Sequence, residues 1–214
     1  MKNVVCLASG RGSNLRALLG VARDDGWARL PGARVAAVVC NEPEALALRV
    51  AEAHGVPAVV VDHRAYPDRA AFDAALRARI DQHAPDLVVL AGFMRVLTPA
   101  FVAHYAGRLI NIHPSLLPAF PGLQTHRQAL AAGVRVHGAT VHFVSPVVDA
   151  GAIIAQSAVP VLESDTEDQL AARVLAREHV LLPRCVRWVL ERRVVLVDGR
   201  VRVDGLSDDA RAAW

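Results

Sequence analysis

Asn111 and His113 are the two residues of this chain whose types and spacing most clearly could do chemistry. They stand two apart in a short run of β-formers, Leu109, Ile110 and Ile112, which Pro114 closes. In a strand, side chains two apart share a face. A neutral amide donor and a group able to move protons are thereby set side by side, with Ile110 and Ile112 turned the other way. The amide could stabilise an oxyanion, and the imidazole could carry a proton between nucleophile and leaving group. A third candidate, Asp149, lies in the turn Val148-Asp149-Ala150-Gly151. A carboxylate beside the ring would orient it and balance its charge. The three together fit transfer of an acyl group to an amine. Ser115 sits in a Pro-bounded loop without an evident base, and no Cys stands near the set. Direct transfer without a covalent enzyme intermediate is therefore expected. A solvated strand end and an ordinary turn aspartate would show the same residue types, and the approach of Asp149 to His113 is an expectation that spacing alone does not supply.

The elements that must position these residues read as repeated strand and helix. Residues 4–8 form an apolar run of strand length. Ser-Gly-Arg-Gly-Ser-Asn follows at 9–14, and Leu15, Leu18, Leu19 and Ala22 then fall at helical spacing. A strand, a Gly-rich turn and a helix offer backbone N–H groups to an anion. Gly10 and Gly12 permit tight turning, and Ser13 or Asn14 could cap the helix or donate to a ligand. The turn lacks the Lys of a Walker loop and the third Gly of a dinucleotide fingerprint, so a small phosphate ester suits it better. A simple capped βα turn is the plainer reading. Further strands are expected at 33–40, 58–61 and 87–91, with helices at 44–54 and 68–83. The four βα units argue for a doubly wound, Rossmann-like α/β sheet, mostly parallel and twisted, with helices on both faces. After 87–91, Gly92-Phe93-Met94-Arg95-Val96-Leu97 could wall a flat heteroaromatic ligand or simply pack helix on sheet. Open α/β sheets bind ligands at strand C-terminal ends, where all these segments fall.

Beyond residues 109–122, with Pro118, Pro121 and Gly122 in the loop, a helix is expected at 125–132 and strands at 137–144 and 153–159. Ser164 and Glu167 read as a capping box opening a long helix over 166–191, which Pro183 should kink. Residues 194–203 read as a β-hairpin about Asp198-Gly199. One domain over 1–206 is expected, with a frayed tail at 207–214.

The 214 residues are 53% hydrophobic and 21% charged, and carry a formal charge of +3. No run is long enough to span a bilayer, and the first residues have too short an apolar core for a signal peptide. Cys6, Cys40 and Cys185 are far apart and read as buried hydrophobes in a reducing, cytoplasmic compartment. They suggest neither disulfides nor a metal site, and no metal is expected. Scattered arginines and a mild charge do not imply a nucleic-acid or membrane partner, but leave anionic small substrates open.

Five segments also carry a resemblance: residues 9–14, 91–97, Asn111-Ile-His-Pro-Ser-Leu-Leu-Pro118, His137-Gly-Ala-Thr-Val-His142, and Val148-Asp-Ala-Gly-Ala-Ile-Ile154. In this order they resemble the phosphoribosylglycinamide formyltransferases, folate-dependent enzymes of purine synthesis, over about residues 3–190. The resemblance implies formyl transfer from 10-formyltetrahydrofolate to the amine of glycinamide ribonucleotide. It implies Asn111, His113 and Asp149 as the catalytic trio, and Gly12, Ser13 and Asn14 as holders of the ribonucleotide phosphate. It also implies Glu178 on the ribose hydroxyls, and Arg69, Met94, Arg95, Val96, Leu97 and Asn111 at the folate. A monomer or homodimer is expected.

The chain departs from that pattern in the loop. Gln124 stands where the family often has a His, and Ala119 where it has a basic residue, which bears on loop-mediated phosphate or proton handling. His126 is nearby; His54, His63, His83 and His104 read as solvated or capping residues. Methionyl-tRNA formyltransferases resemble the core but add a C-terminal nucleic-acid-binding domain. Formyltetrahydrofolate hydrolases add an N-terminal regulatory domain. A non-catalytic nucleotide-binding module would be expected to disrupt the Asn–His–Asp set, which is intact here.

Overall fold

The first strand, β1 (Lys2–Ala8), is an unbroken apolar run because both of its faces are covered: Val4 through Ala8 are fully buried. In a computed structural model that describes residues 2–24, 27 and 32–206, β1 lies at the centre of a parallel set. It pairs with β2 (Ala33–Cys40) on one side and β4 (Leu87–Leu90) on the other, Cys6 lying opposite Val38 and Val89. Beyond β2 lies β3 (Ala58–Val60), and β4 pairs in parallel with β5 (Leu109–His113). Burying each leucine or valine of these strands contributes roughly 1.5–3 kcal/mol. Three connections carry the helices α1 (Ser13–Asp24), α2 (Leu46–Ala53) and α3 (Arg69–Asp81), and α4 (Pro99–His104) precedes β5.

The described residues up to 111 form one compact unit and those from 112 to 206 a second. In the second, β6 (Val136–Phe143) and β7 (Ile153–Pro160) pair antiparallel, and α6 (Glu167–Leu190) packs on both. The short helix α5 (Thr125–Ala131) precedes them. The hairpin of β8 (Val194–Val197) and β9 (Arg200–Val203) follows, with β9 against β7. The strand order is β3-β2-β1-β4-β5-β6-β7, a mixed and mostly parallel sheet, with β8-β9 separate. This is the expected α/β architecture with its C-terminal long helix and hairpin.

Two expectations change. The second helix begins at Leu46 rather than residue 44, because Ala45 is extended at φ −63°, ψ 128°. The long helix is opened by Thr166 and Gln169 rather than Ser164 and Glu167. The Thr166 side chain accepts from the Gln169 N–H, and the Gln169 side chain accepts from the Thr166 N–H. Just before the cap, the Asp165 carboxylate accepts from Arg173 at 2.6 Å. The helix continues through Pro183 as one element. The tail expected at 207–214 lies outside the described residues. No helix among the described residues is long and apolar enough to cross a membrane.

Candidate active site

His113 is the last residue of β5, and its side chain is buried. Pro114 has no N–H with which to extend the ladder, so the backbone leaves the sheet directly after it. The imidazole faces an acceptor at each nitrogen. Its Nε2–H donates to the Phe120 carbonyl at 3.0 Å. Its Nδ1 lies 3.4 Å from a carboxylate oxygen of Asp149. A carbonyl and a carboxylate can only accept, so the doubly protonated ring satisfies both. Asn111, half-buried, precedes His113 by two positions on the same strand and therefore on the same side of it.

Asp149 reaches this position through its backbone. Its φ is +53°, a left-handed conformation that Asp tolerates better than most residues. Gly151 follows two residues later; a Cβ there would lie 1.7 Å from the Phe143 carbonyl oxygen, so only glycine lets the turn close on the end of β6. The Asp149 carboxylate then accepts from the Gly122 N–H at 2.8 Å and stands 3.7 Å from His142 Nε2. His142 Nδ1–H donates to the Phe143 carbonyl at 2.9 Å. Burial outweighs the attraction of Asp149 and lowers the pKa of His142, so this second ring is neutral near pH 7.

The loop between His113 and α5 supplies the Phe120 carbonyl. Phe120 and Gln124 are left-handed, at φ +54° and +57°. The Ser115 hydroxyl donates to the Ala119 carbonyl at 2.6 Å, and the Thr125 hydroxyl to the Pro114 carbonyl at 2.7 Å. His137 packs edge-on to Phe120 and to His126, with ring centroids 5.7 and 5.4 Å apart. Burial, with a smaller contribution from the adjacent His126, pushes His137 down to about 4. Burial likewise lowers His126. Ala119 and Gln124, where the resemblance leads one to expect a basic residue and a His, are both exposed.

In the first unit, the turn 9–14 is built as a tight cradle. Gly12 has φ +70°, and a Cβ there would lie 2.8 Å from the Ala47 Cα, in the first turn of α2. The Ala47 N–H donates to the Gly10 carbonyl at 3.0 Å. Ser13 opens α1, and Asn14 is buried beside it. Ser9 ties this turn to the segment 92–97: its hydroxyl donates to the buried Asn41 at 2.5 Å and accepts from the Met94 N–H at 2.8 Å. Met94 and Val96 are exposed, whereas Phe93 and Leu97 are buried, so the segment offers alternate side chains outward. The Arg95 guanidinium carbon lies 5.2 Å from the Phe72 ring centroid. Arg69, exposed, begins the helix that carries Phe72. In the second unit, Glu178 is buried on α6.

The structure thus brings His113 and Asp149 into contact, keeps Gly12, Ser13 and Asn14 in one turn, and places Met94 beside that turn through Ser9. Sequence reading missed two members of the His113 site. One is the Phe120 carbonyl, a backbone group with no residue-type signal. The other is His142, whose signal was its place at the end of an alternating strand facing an aspartate turn.

The formyl transferase family profile matches residues 2–186. The phosphoribosylglycinamide formyltransferase of Escherichia coli (strain K12) is 45% identical over 203 residues, covering 95% of this chain and 94% of that protein. The trifunctional purine biosynthetic protein adenosine-3 of Drosophila melanogaster is 47% identical over 189 residues, covering 88% of this chain and 14% of that longer protein. The crystal structure of glycinamide ribonucleotide transformylase 1 from Symbiobacterium toebii superposes with a TM-score of 0.90 at 48% identity, covering 95% and 94% of the two chains. The chain belongs to the formyl transferase family, among its phosphoribosylglycinamide formyltransferases.

Proposed function

We propose that this protein transfers the formyl group of 10-formyltetrahydrofolate to the amine of glycinamide ribonucleotide, with Asn111, His113 and Asp149 as the catalytic set. The observation that carries the reading is the His113 imidazole held between two acceptors, the Phe120 carbonyl and the Asp149 carboxylate, in a member of this family. The Asp149 side fixes the ring, and the Nε2–H becomes the transferable proton when it leaves the Phe120 carbonyl for the substrate.

The neutral amine of the ribonucleotide attacks the formyl carbon, and a C–N bond forms. Asn111 and protonated His113 stabilise the oxyanion of the tetrahedral intermediate. The bond from that carbon to the folate nitrogen then breaks. The amine gives up one proton and the departing nitrogen gains one, with His113 as the shuttle. Asp149 balances the imidazolium charge, and neutral His142 adds no competing positive charge beside that carboxylate. The turn holding Gly12, Ser13 and Asn14 would bind the ribonucleotide phosphate through backbone N–H groups at the start of α1. Glu178 would accept from the ribose hydroxyls. Arg69, Met94, Arg95, Val96 and Leu97 would line the folate site, the exposed Met94 and Val96 supplying apolar surface for a flat ring.

The test is folate absorbance with purified protein and 10-formyltetrahydrofolate or its dideaza analogue, with and without glycinamide ribonucleotide. Deformylated folate should form only with the ribonucleotide present. Deformylation without any acceptor would replace this reading with a hydrolase, and absence of turnover in both arms would refute both.

A further inference from the structure

Thr140 on β6 and Gln156 on β7 are direct cross-strand partners, and together they grip one residue of the loop that follows His113. The Gln156 side-chain amide donates to the Leu117 carbonyl at 2.8 Å and to the Thr140 hydroxyl at 3.0 Å. That hydroxyl accepts from the Leu117 N–H at 3.1 Å and donates to the Ser115 carbonyl at 2.7 Å. A threonine hydroxyl has one proton and two lone pairs, so all three are used. Thr140 and Ser115 are fully buried and Leu117 nearly so. Both backbone groups of Leu117 are therefore held from the strands, in a setting where an unmade hydrogen bond is expensive.

Three residues further on stands Phe120, whose carbonyl takes the His113 Nε2–H. The short stretch between them is closed by the Ala119 N–H donating to the Leu116 carbonyl at 3.0 Å and by the Ser115 hydroxyl on the Ala119 carbonyl. At its far end the Gly122 N–H is on Asp149. The stretch is thus anchored by Gln156 and Thr140 at one end and by Asp149 at the other, with the His113 contact in between.

We infer that Gln156 is a positioning residue for the formyl-transfer reaction: acting with the Thr140 hydroxyl through the Leu117 backbone, it sets where the Phe120 carbonyl meets the His113 ring. Gln156 touches neither His113 nor Asp149. Its effect passes through the loop and falls first on the Nε2 side of the ring, Asp149 being placed by its own turn at 148–151 as well as by the Gly122 N–H. The inference rests on the assignment of His113 as the proton shuttle for its kinetic consequence, but not for its structural one.

The experiment uses Gln156→Leu, which keeps the bulk and removes the donors, and Gln156→Asn, which keeps the amide on a shorter reach. Thr140→Val and Thr140→Ser are made alongside. In protein labelled with [15N]histidine, the His113 Nε2 resonance, assigned with a His113 variant, should move in Gln156→Leu, Gln156→Asn and Thr140→Val. The Nδ1 resonance should move less than that of Nε2. Thr140→Ser should restore the wild-type signal. In parallel, kcat should fall about 10–100-fold in Gln156→Leu, with the dissociation constant for glycinamide ribonucleotide within about threefold of wild type. A His113 spectrum and a kcat both unchanged in Gln156→Leu and Gln156→Asn would overturn the inference. So would equal movement of both ring nitrogens, which a general loosening of the fold would produce. If the wild-type protein turned over no formyl group, the functional assignment would fall while the resonance shifts still decided the role of Gln156.

Discussion

Asp149→Asn should lower kcat by about 10²–10³-fold, and the size follows from the geometry of one contact. The carboxylate oxygen lies 3.4 Å from His113 Nδ1, with both side chains largely shielded from solvent. Two unit charges at that separation attract by about 5 kcal/mol at an effective dielectric constant near 20. At about 1.4 kcal/mol per decade this corresponds to between three and four decades in rate as an upper bound, reduced where solvent reaches the pair. Asparagine is the informative substitution because Asp149 has φ +53°, which Asn adopts about as readily as Asp. Its amide oxygen can still accept from the Gly122 N–H, so the loop keeps its anchor. The variant therefore removes charge and leaves backbone and shape in place. The assay is folate absorbance at saturating concentrations of both substrates, with the thermal midpoint measured beside it. A kcat within about threefold of wild type, at an unchanged midpoint, would refute the view that the Asp149 charge supports the His113 cation in the transition state.

Two further outcomes are expected. Stability should fall as the pH drops from about 6.5 to about 4, because the unfolded chain takes up protons there that buried His137, pushed down to about 4, does not. This ring contributes on the order of 3 kcal/mol to that fall, and the lowered His126 and His142 act in the same direction. Urea unfolding at a series of pH values, in wild type and His137→Gln, should show a slope shallower in the variant; equal slopes would contradict the assignment. Gly12→Ala should raise the KM for the ribonucleotide at least about tenfold with kcat at saturation largely kept. Its left-handed backbone alone costs about 1–2 kcal/mol in an alanine, and its Cβ would meet Ala47 at 2.8 Å. An unchanged KM in a folded variant would remove the turn 9–14 from the phosphate site.

How far the sequence could be read depended on whether a feature was local. The β8–β9 hairpin lies where Asp198-Gly199 places it, because a two-residue turn with positive φ at both positions selects its own residues. The central parallel strands β1, β2 and β4 were legible because burial on both faces leaves an apolar run with little polar interruption. The start of α6 falls to Thr166 rather than Ser164 because two overlapping capping patterns stand there, and the reciprocal Thr166–Gln169 bonds that decide between them are not encoded by spacing. Within the candidate site, Asn111 and His113 could be paired from period-two alternation. The arrival of Asp149 beside His113 depends on a left-handed residue and on a glycine pressed against Phe143, neither of which a local pattern announces. The roles proposed for Glu178 and Arg69 came from family resemblance alone, since their residue types are equally at home on any helix face, whereas the apolar residues of the segment 94–97 already suggested a ligand wall and the resemblance supplied the folate.

The central claim is that His113 moves the proton between the amine and the folate nitrogen, and His113→Ala tests it most directly. The measurement is kcat for formyl transfer together with the dissociation constant for glycinamide ribonucleotide in the same variant. The account predicts a kcat lower by about 10²–10⁴-fold or more with ribonucleotide binding changed by no more than about threefold. A near-wild-type kcat would contradict it.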